Sequence, residues 1–288
     1  MMTFAVSTYS LEQELSAGRM TQLDAISKIR ELGADAVEVV DIRPPAGISR
    51  LDYAVRLGEA CRAAGLEIAN YTVGADFLQN PVRDEVQRLQ EELHLAKALG
   101  AKSIRHDVTS GIAGRERGYS GFTQVLPRLA EGCREVTEQA EDAGISTMVE
   151  NHGFFFQDID RVEALLTAVG HPNFGLLFDM GNFLCADVEP DAALGRLVPY
   201  VRYVHAKDFF VKPGISPCPG EGFFRSRGGR YLRGTIIGHG DVPVTACLSI
   251  LKANGYKGMI GIEFEGMENC RQGIAIGLTN LRRFVESV

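Results

Sequence analysis

The sequence predicts an α/β fold, a closed (β/α)8 TIM barrel forming a single domain over residues 1–288. Three observations carry that prediction. Eight short apolar runs recur along the chain, helical segments ending in glycine alternate with them, and no Gly-rich loop follows the first run. Strands alternating with helices imply parallel pairing through crossover connections. An open doubly wound sheet would carry a Gly-rich phosphate loop after its first strand. Here the chain continues as STYSLEQEL.

The strands are expected, in order, at Phe4–Ser10, Ala36–Ile42, Glu67–Gly74, Ser103–Thr109, Ser146–Gly153, Phe174–Asn182, Val201–Asp208 and Met259–Glu265. Each is short and rich in β-branched or aromatic residues. Between them lie helical patterns such as TQLDAISKIRELG, YAVRLGEACRAAG and DEVQRLQEELHLAKALG. Gly33, Gly65, Gly100, Gly144, Gly170 and Gly255 stand where helix C-caps are expected. The helix, Gly, strand unit repeats at about 25–40 residues, which suits eight units of a barrel. The stretch from Phe209 to Gly240 reads as one long irregular loop carrying Arg225, Arg227, Arg230 and Arg233. A loop of that length inside a compact domain is usually functional.

A formal net charge of −7 argues against non-specific nucleic-acid binding, which needs a basic surface. The six cysteines, Cys61, Cys133, Cys185, Cys218, Cys247 and Cys270, form no CxxC pair, so neither a zinc ribbon nor a disulfide framework is expected. The N-terminal MMTFAVSTYS has no basic segment followed by a long apolar stretch. No apolar run approaches the roughly 20 residues that cross a bilayer. The expected location is the cytoplasm, with no membrane partner.

Four strand-like runs, STMVE, FGLLFD, VRYVH and GMIGIE, end on Glu150, Asp179, His205 and Glu263. A closed barrel gathers these ends at one mouth. Three carboxylates and one imidazole suit one divalent ion, Mn²⁺, Mg²⁺ or Co²⁺, with Zn²⁺ also compatible. Such an ion polarises a ketone or aldehyde oxygen and makes the adjacent C–H more acidic. A carboxylate beside that carbon is the base. Glu150 and Glu263 come from the fifth and eighth strands, so they can flank a substrate. One removes a proton and the other returns it.

The segments MVENHG (148–153), GLLFDMGNF (175–183), YVHAKDF (203–209), IGHGDV (237–242) and GIEFEG (261–266) resemble the xylose isomerase-like barrel superfamily, in its sugar phosphate isomerase/epimerase group. The strand rhythm matches over the whole chain and the motifs occupy its second half. The resemblance implies a divalent metal held by Glu150, Asp179, His205 and Glu263, with Glu150 and Glu263 as the acid/base pair. It also implies a dimer or tetramer, since such barrels often pair through the loop face. Position suggests His152, His106, Lys207 and His239 as substrate contacts, and places Glu38 in the lower barrel interior. Asn182 stands where related epimerases often have a substrate-contacting His, and no Arg closely follows VHAKD. The loop arginines are candidates for a lid, a subunit contact or an anion site.

The leading expectation is therefore a metal-dependent isomerase or epimerase of a small sugar, ketose or related hydroxy-carbonyl compound. The alternative is a dehydratase of the inosose or dehydroshikimate type, which shares the first step. A repair endonuclease of the related barrel type would need a multi-metal cluster with more histidines. Of the six here, His94 and His171 fall in helical or turn segments. A non-catalytic sugar-binding relative is disfavoured by the intact ligand set.

Overall fold

The computed structural model describes residues 2–112 and 121–288. Among them, eight parallel strands close into a barrel: β1 (Thr3–Ser7), β2 (Ala36–Val40), β3 (Glu67–Val73), β4 (Ser103–His106), β5 (Ser146–Glu150), β6 (Phe174–Asp179), β7 (Val201–Ala206) and β11 (Met259–Ile262). β11 pairs with both β7 and β1, which closes the ring. The remaining strands, β8 (Asp208–Lys212), β9 (Phe224–Arg225) and β10 (Tyr231–Thr235), form a separate antiparallel sheet. Around the barrel run α1 (Glu12–Leu15), α2 (Gln22–Glu31), α3 (Arg50–Ala64), α4 (Val82–Leu99), α5 (Phe122–Asp142), α6 (Ile159–Val169), α7 (Pro190–Leu197), α8 (Val244–Ala253) and α9 (Cys270–Ser287).

Local chemistry sets the helix ends. Thr21 and Asp24 cap the start of α2 reciprocally. Gly65 and Gly100 end α3 and α4 at φ +66° and +91°, a conformation that costs glycine little. The chain then turns directly into β3 and β4.

Two apolar layers result. The larger lies between the outer strand faces and the helices, with residues such as Val39, Ile104, Val149 and Phe178 fully buried. The smaller plugs the barrel floor with Ala5, Ala36, Met148, Leu177 and Tyr203. Strand alternation turns the side chains above that plug inward as well. They are polar: Glu38, Asn70, Arg105, Glu150, Asp179 and His205 are all buried. Gly261 makes this packing possible, because a Cβ there would lie 2.1 Å from Tyr203 Oη.

The structure corrects the sequence reading at two points. Several strands end earlier than expected; the segment after β1, for example, is a 3-10 turn over Thr8–Leu11. The stretch 209–240 is not one irregular loop, since β8, β9 and β10 pair within it in antiparallel register. Among the described residues no helix is long and apolar enough to cross a membrane.

Candidate metal centre

Glu150 and Asp179 are the last residues of β5 and β6, His205 is the penultimate residue of β7, and Glu263 follows β11. Asp179 and His205 face each other in register, as do His205 and Gly261. One potential ligand atom from each of the four lies within 4.8 Å of every other. His205 Nδ1 stands 3.7 Å from Glu150 Oε1, 3.8 Å from Asp179 Oδ2 and 3.7 Å from Glu263 Oε2.

Each member is held from behind. Asp179 Oδ1 accepts the backbone N–H groups of Gly181 and Asn182 at 2.8 and 2.7 Å, which turns Oδ2 toward the cluster. The Asn151 amide bonds both the N–H and the carbonyl of Asp179, at 2.9 and 3.0 Å, like an added strand. His205 Nε2 meets both oxygens of Glu38, at 3.1 and 3.0 Å, which leaves Nδ1 facing the cluster. Glu150 is bound at both oxygens: Asn182 Nδ2 donates to Oε1 at 2.9 Å and Arg105 Nη2 sits 2.6 Å from Oε2. The Glu263 N–H extends the β7 ladder by donating to the Ala206 carbonyl at 3.1 Å. Beside it, Lys207 Nζ lies 2.5 Å from Glu263 Oε2 and 3.3 Å from Glu265 Oε1.

The donor set fits a divalent cation. His205 Nδ1 and Asp179 Oδ2 are buried and have no hydrogen-bond partner among the described residues, a condition rare for buried polar atoms. Burial together with Glu150 and Glu263 pushes Asp179 up to about 7, despite the opposing pull of Lys207. Burial opposes charge on His205, yet Glu38 and Glu263 raise it well above the ordinary histidine value. Without a metal, then, protons neutralise part of the cluster, and a bound cation would displace them. Burial also disfavours ionised Glu150 and Glu263. Arg105, His205 and His152 together outweigh it for the first, and Lys207 with His205 for the second, so both are lowered.

Above the cluster opens a cavity of about 270 Å³ lined by Tyr9, Asp41, Thr72, Arg105, Asp107, Glu150, His152, Glu263 and Glu265, among others. A groove of about 480 Å³ continues from it past Tyr9, Ser10, Glu12, Gln13 and Glu265. Glu265 and burial push the Tyr9 hydroxyl up to about 12. His152 lines the cavity with its side chain 48% exposed and Nδ1 2.9 Å from Asp107 Oδ1. Burial lowers its proton affinity, but Asp107 more than compensates, and the net shift is upward.

The other expected contacts divide. Lys207 Nζ touches Glu263, Glu265 and Asn182 Oδ1, and Asn182 in turn holds Glu150. His106 does not reach the cavity; it is fully buried, with its ring edge against Phe77. His239 is exposed on the GHGD turn. That turn instead wraps the Asp208 carboxylate, which accepts the N–H groups of Gly238, Gly240 and Val242 at 2.8, 2.9 and 3.1 Å. Glu38 supports His205 of the candidate cluster rather than merely filling the lower interior. The loop arginines have partners within the chain. Arg225 stacks over Tyr231, Arg227 bonds Asp158, Arg230 bonds Asp187, and Arg233 lies over Phe210.

Comparison with known proteins agrees with this architecture. The family model for the xylose isomerase-like TIM barrel matches residues 26–284. An inosose dehydratase of Mesomycoplasma hyopneumoniae (strain J) is 26% identical over 251 residues, covering 84% of this chain and 80% of that protein. An L-ribulose 3-epimerase structure superposes with a TM-score of 0.74 at 16% identity, over 100% of this chain and 95% of its own. A barrel protein from Mycobacterium smegmatis, solved in complex with magnesium, superposes at 0.73 with 17% identity, over 100% and 97%. On the barrel closure and the extent of the family match, the chain belongs to the xylose isomerase-like TIM barrel family.

Proposed function

We propose that the chain is a divalent-metal-dependent lyase that dehydrates a small polyhydroxy ketone of the inosose type. Glu150, Asp179, His205 and Glu263 would hold the ion, which supplies a Lewis acid that polarises the ketone and acidifies the neighbouring C–H. The magnesium complex of the superposed M. smegmatis barrel supports a divalent ion at such a fold.

The carrying observation is the unequal setting of the two glutamates. Glu150 is engaged at both oxygens, by Asn182 and Arg105. Glu263 is bound at Oε2 by Lys207, takes no bond at Oε1 from any described residue, and faces the cavity. Glu263 therefore serves as the base that removes the α-proton. The electron pair released forms the C=C bond and expels the β-hydroxyl. His152, whose proton affinity Asp107 raises, gives that group a proton so that it departs as water. One base and one separate acid suit elimination better than a two-carboxylate exchange. The 26% identity to a protein named inosose dehydratase supports the same outcome.

Isomerisation or epimerisation of a ketose is the second reading. It is favoured by Glu150 and Glu263 lining one cavity with ligand atoms within 4.8 Å. Incubating the metal-loaded protein with a panel of inososes and ketoses in D₂O distinguishes the two. Dehydration gives an unsaturated ketone or its diketone tautomer, and stops on chelation. Deuterium incorporation without loss of water would assign the isomerase, and neither outcome with any substrate would reject the shared enolisation step.

A further inference from the structure

We propose that Asp41 is a specificity residue of this cavity. It accepts hydrogen bonds from neighbouring hydroxyls of an uncharged polyol, in a site that disfavours phosphorylated or carboxylated ligands. The inference rests on the functional reading above only in seating the substrate over the metal centre.

Asp41 follows β2 and lines the cavity together with Arg105, Asp107, Glu150 and Glu263. Its backbone sits at φ +47°, a left-handed conformation that few residues other than glycine adopt. The surroundings enforce it. Buried Gln22 donates from Nε2 to the carbonyls of Val40 and Asp41 at 3.1 and 2.8 Å, and its Oε1 accepts the Arg43 N–H at 2.9 Å. The Asp41 N–H donates to the Thr72 carbonyl at 2.9 Å. A strained, clamped turn that presents a side chain to a cavity is a common sign of function.

The carboxylate itself takes no hydrogen bond and joins no ion pair among the described residues. The nearby cations are committed elsewhere: Arg43 to Glu12 at 2.9 and 3.1 Å, and Arg50 to Glu92 at 2.9 Å through each nitrogen. Burial pushes the Asp41 carboxyl upward, as expected for a charge with little compensation.

The rest of the cavity agrees in sign. Asp107 and Glu265 add negative charge to the walls, and Glu12 adds more in the adjoining groove. Arg105 is bound to Asp107 and Glu150, and Lys207 to Glu263 and Glu265. An anionic substituent would have to break one of these pairs or the pair of His152 with Asp107. Hydroxyl donors meet acceptors with spare lone pairs, and one carboxylate can accept from two vicinal hydroxyls.

The test uses the metal-loaded protein and three measurements. These are KM and kcat for an inosose, the Kd of unreactive myo-inositol by titration calorimetry, and the Kd of 3-dehydroshikimate as a carboxylate-bearing probe. Asp41→Gly removes the carboxylate, and glycine accepts this φ freely. It should raise KM and the myo-inositol Kd roughly tenfold to hundredfold, as expected for a charge-assisted bond, with kcat much less changed. Asp41→Asn keeps one acceptor and should fall between. Wild type should bind 3-dehydroshikimate at least tenfold more weakly than myo-inositol. Unchanged KM and Kd in Asp41→Gly, or equal binding of the carboxylate probe, would overturn the proposal. So would no myo-inositol binding by wild type. If wild type binds myo-inositol but turns over no inosose, the lyase reading fails alone, and the binding titration of the variants still decides Asp41.

Discussion

Replacing Glu38 by Gln should weaken metal binding without unfolding the barrel. Glu38 lies opposite the cavity side of His205, with its oxygens 3.1 and 3.0 Å from Nε2 and no exposure of either side chain. Carboxylates in this position fix the tautomer of a metal-bound His, and their loss costs about 10–100-fold in affinity, or about 1.4–2.8 kcal/mol. The upper half of that range is expected, because the bond is charge-assisted and fully buried. A Gln oxygen can still accept from Nε2–H, which limits the loss. A second effect opposes it. Glu38 is the first of the groups that hold a proton on His205 against burial, and that proton competes with the metal. The deficit of Glu38→Gln should therefore be largest at high pH, where no proton has to be displaced, and shrink toward acid. Chelator competition with Mn²⁺ across pH measures both, with circular dichroism to check folding. Affinity within threefold of wild type at high pH would refute the orienting role.

Further outcomes follow from the same geometry. In the metal-free protein Asp179 sits at about 7, above its ordinary value. A raised carboxyl gives stability that is full in acid and lost as pH rises through about 7. The metal-free Tm should fall over that window, Asp179→Asn should flatten the fall, and excess Mn²⁺ should reverse it in wild type; a flat wild-type profile would count against the assignment. Gly261→Ala places a Cβ 2.1 Å from Tyr203 Oη, an overpacking expected to cost about 1–3 kcal/mol, and a Tm within a degree of wild type would contradict it. At saturating Mn²⁺, Glu263→Gln should abolish deuterium exchange at the α-carbon. Glu150→Gln should act mainly by weakening metal binding, and matching exchange and affinity profiles for the two variants would remove the proposed asymmetry.

The barrel was legible because its local signals agree. Glycine ends a helix and an apolar run follows within a few residues, as at Gly65 and Gly100. The strand ends were less clear, because apolar residues continue beyond the last ladder bond. Leu11, for example, is buried in the 3-10 turn after β1. The stretch 209–240 misled for a different reason. Gly234 lies inside β10, where a Cβ would fall 2.4 Å from the Glu265 carbonyl oxygen. That glycine permits close contact between the small sheet and the segment after β11. Close approach of distant backbones leaves no local trace in composition.

The same limit separates the candidate ligands from their supports. Glu150, Asp179, His205 and Glu263 could be found because each ends an apolar run, where a charged side chain stands out. Glu38 left a usable signal, a carboxylate in the middle of AVEVV, where period two points it to the same side as Ala36. An ionised group there must have a buried partner, and His205 was the inward-facing candidate on β7. Asp41 left only a weak one, since an Asp near the end of a strand-like run is ordinary in sequence. What distinguishes it, the positive φ and the clamp by Gln22 nineteen residues earlier, exists only once β2 and α2 have packed. The candidate ligand set is thus written in strand ends, while the groups around it depend on pairings between strands. A substitution at Glu38 or Asp41 should therefore change what the centre binds while leaving intact the pattern by which the centre is recognised.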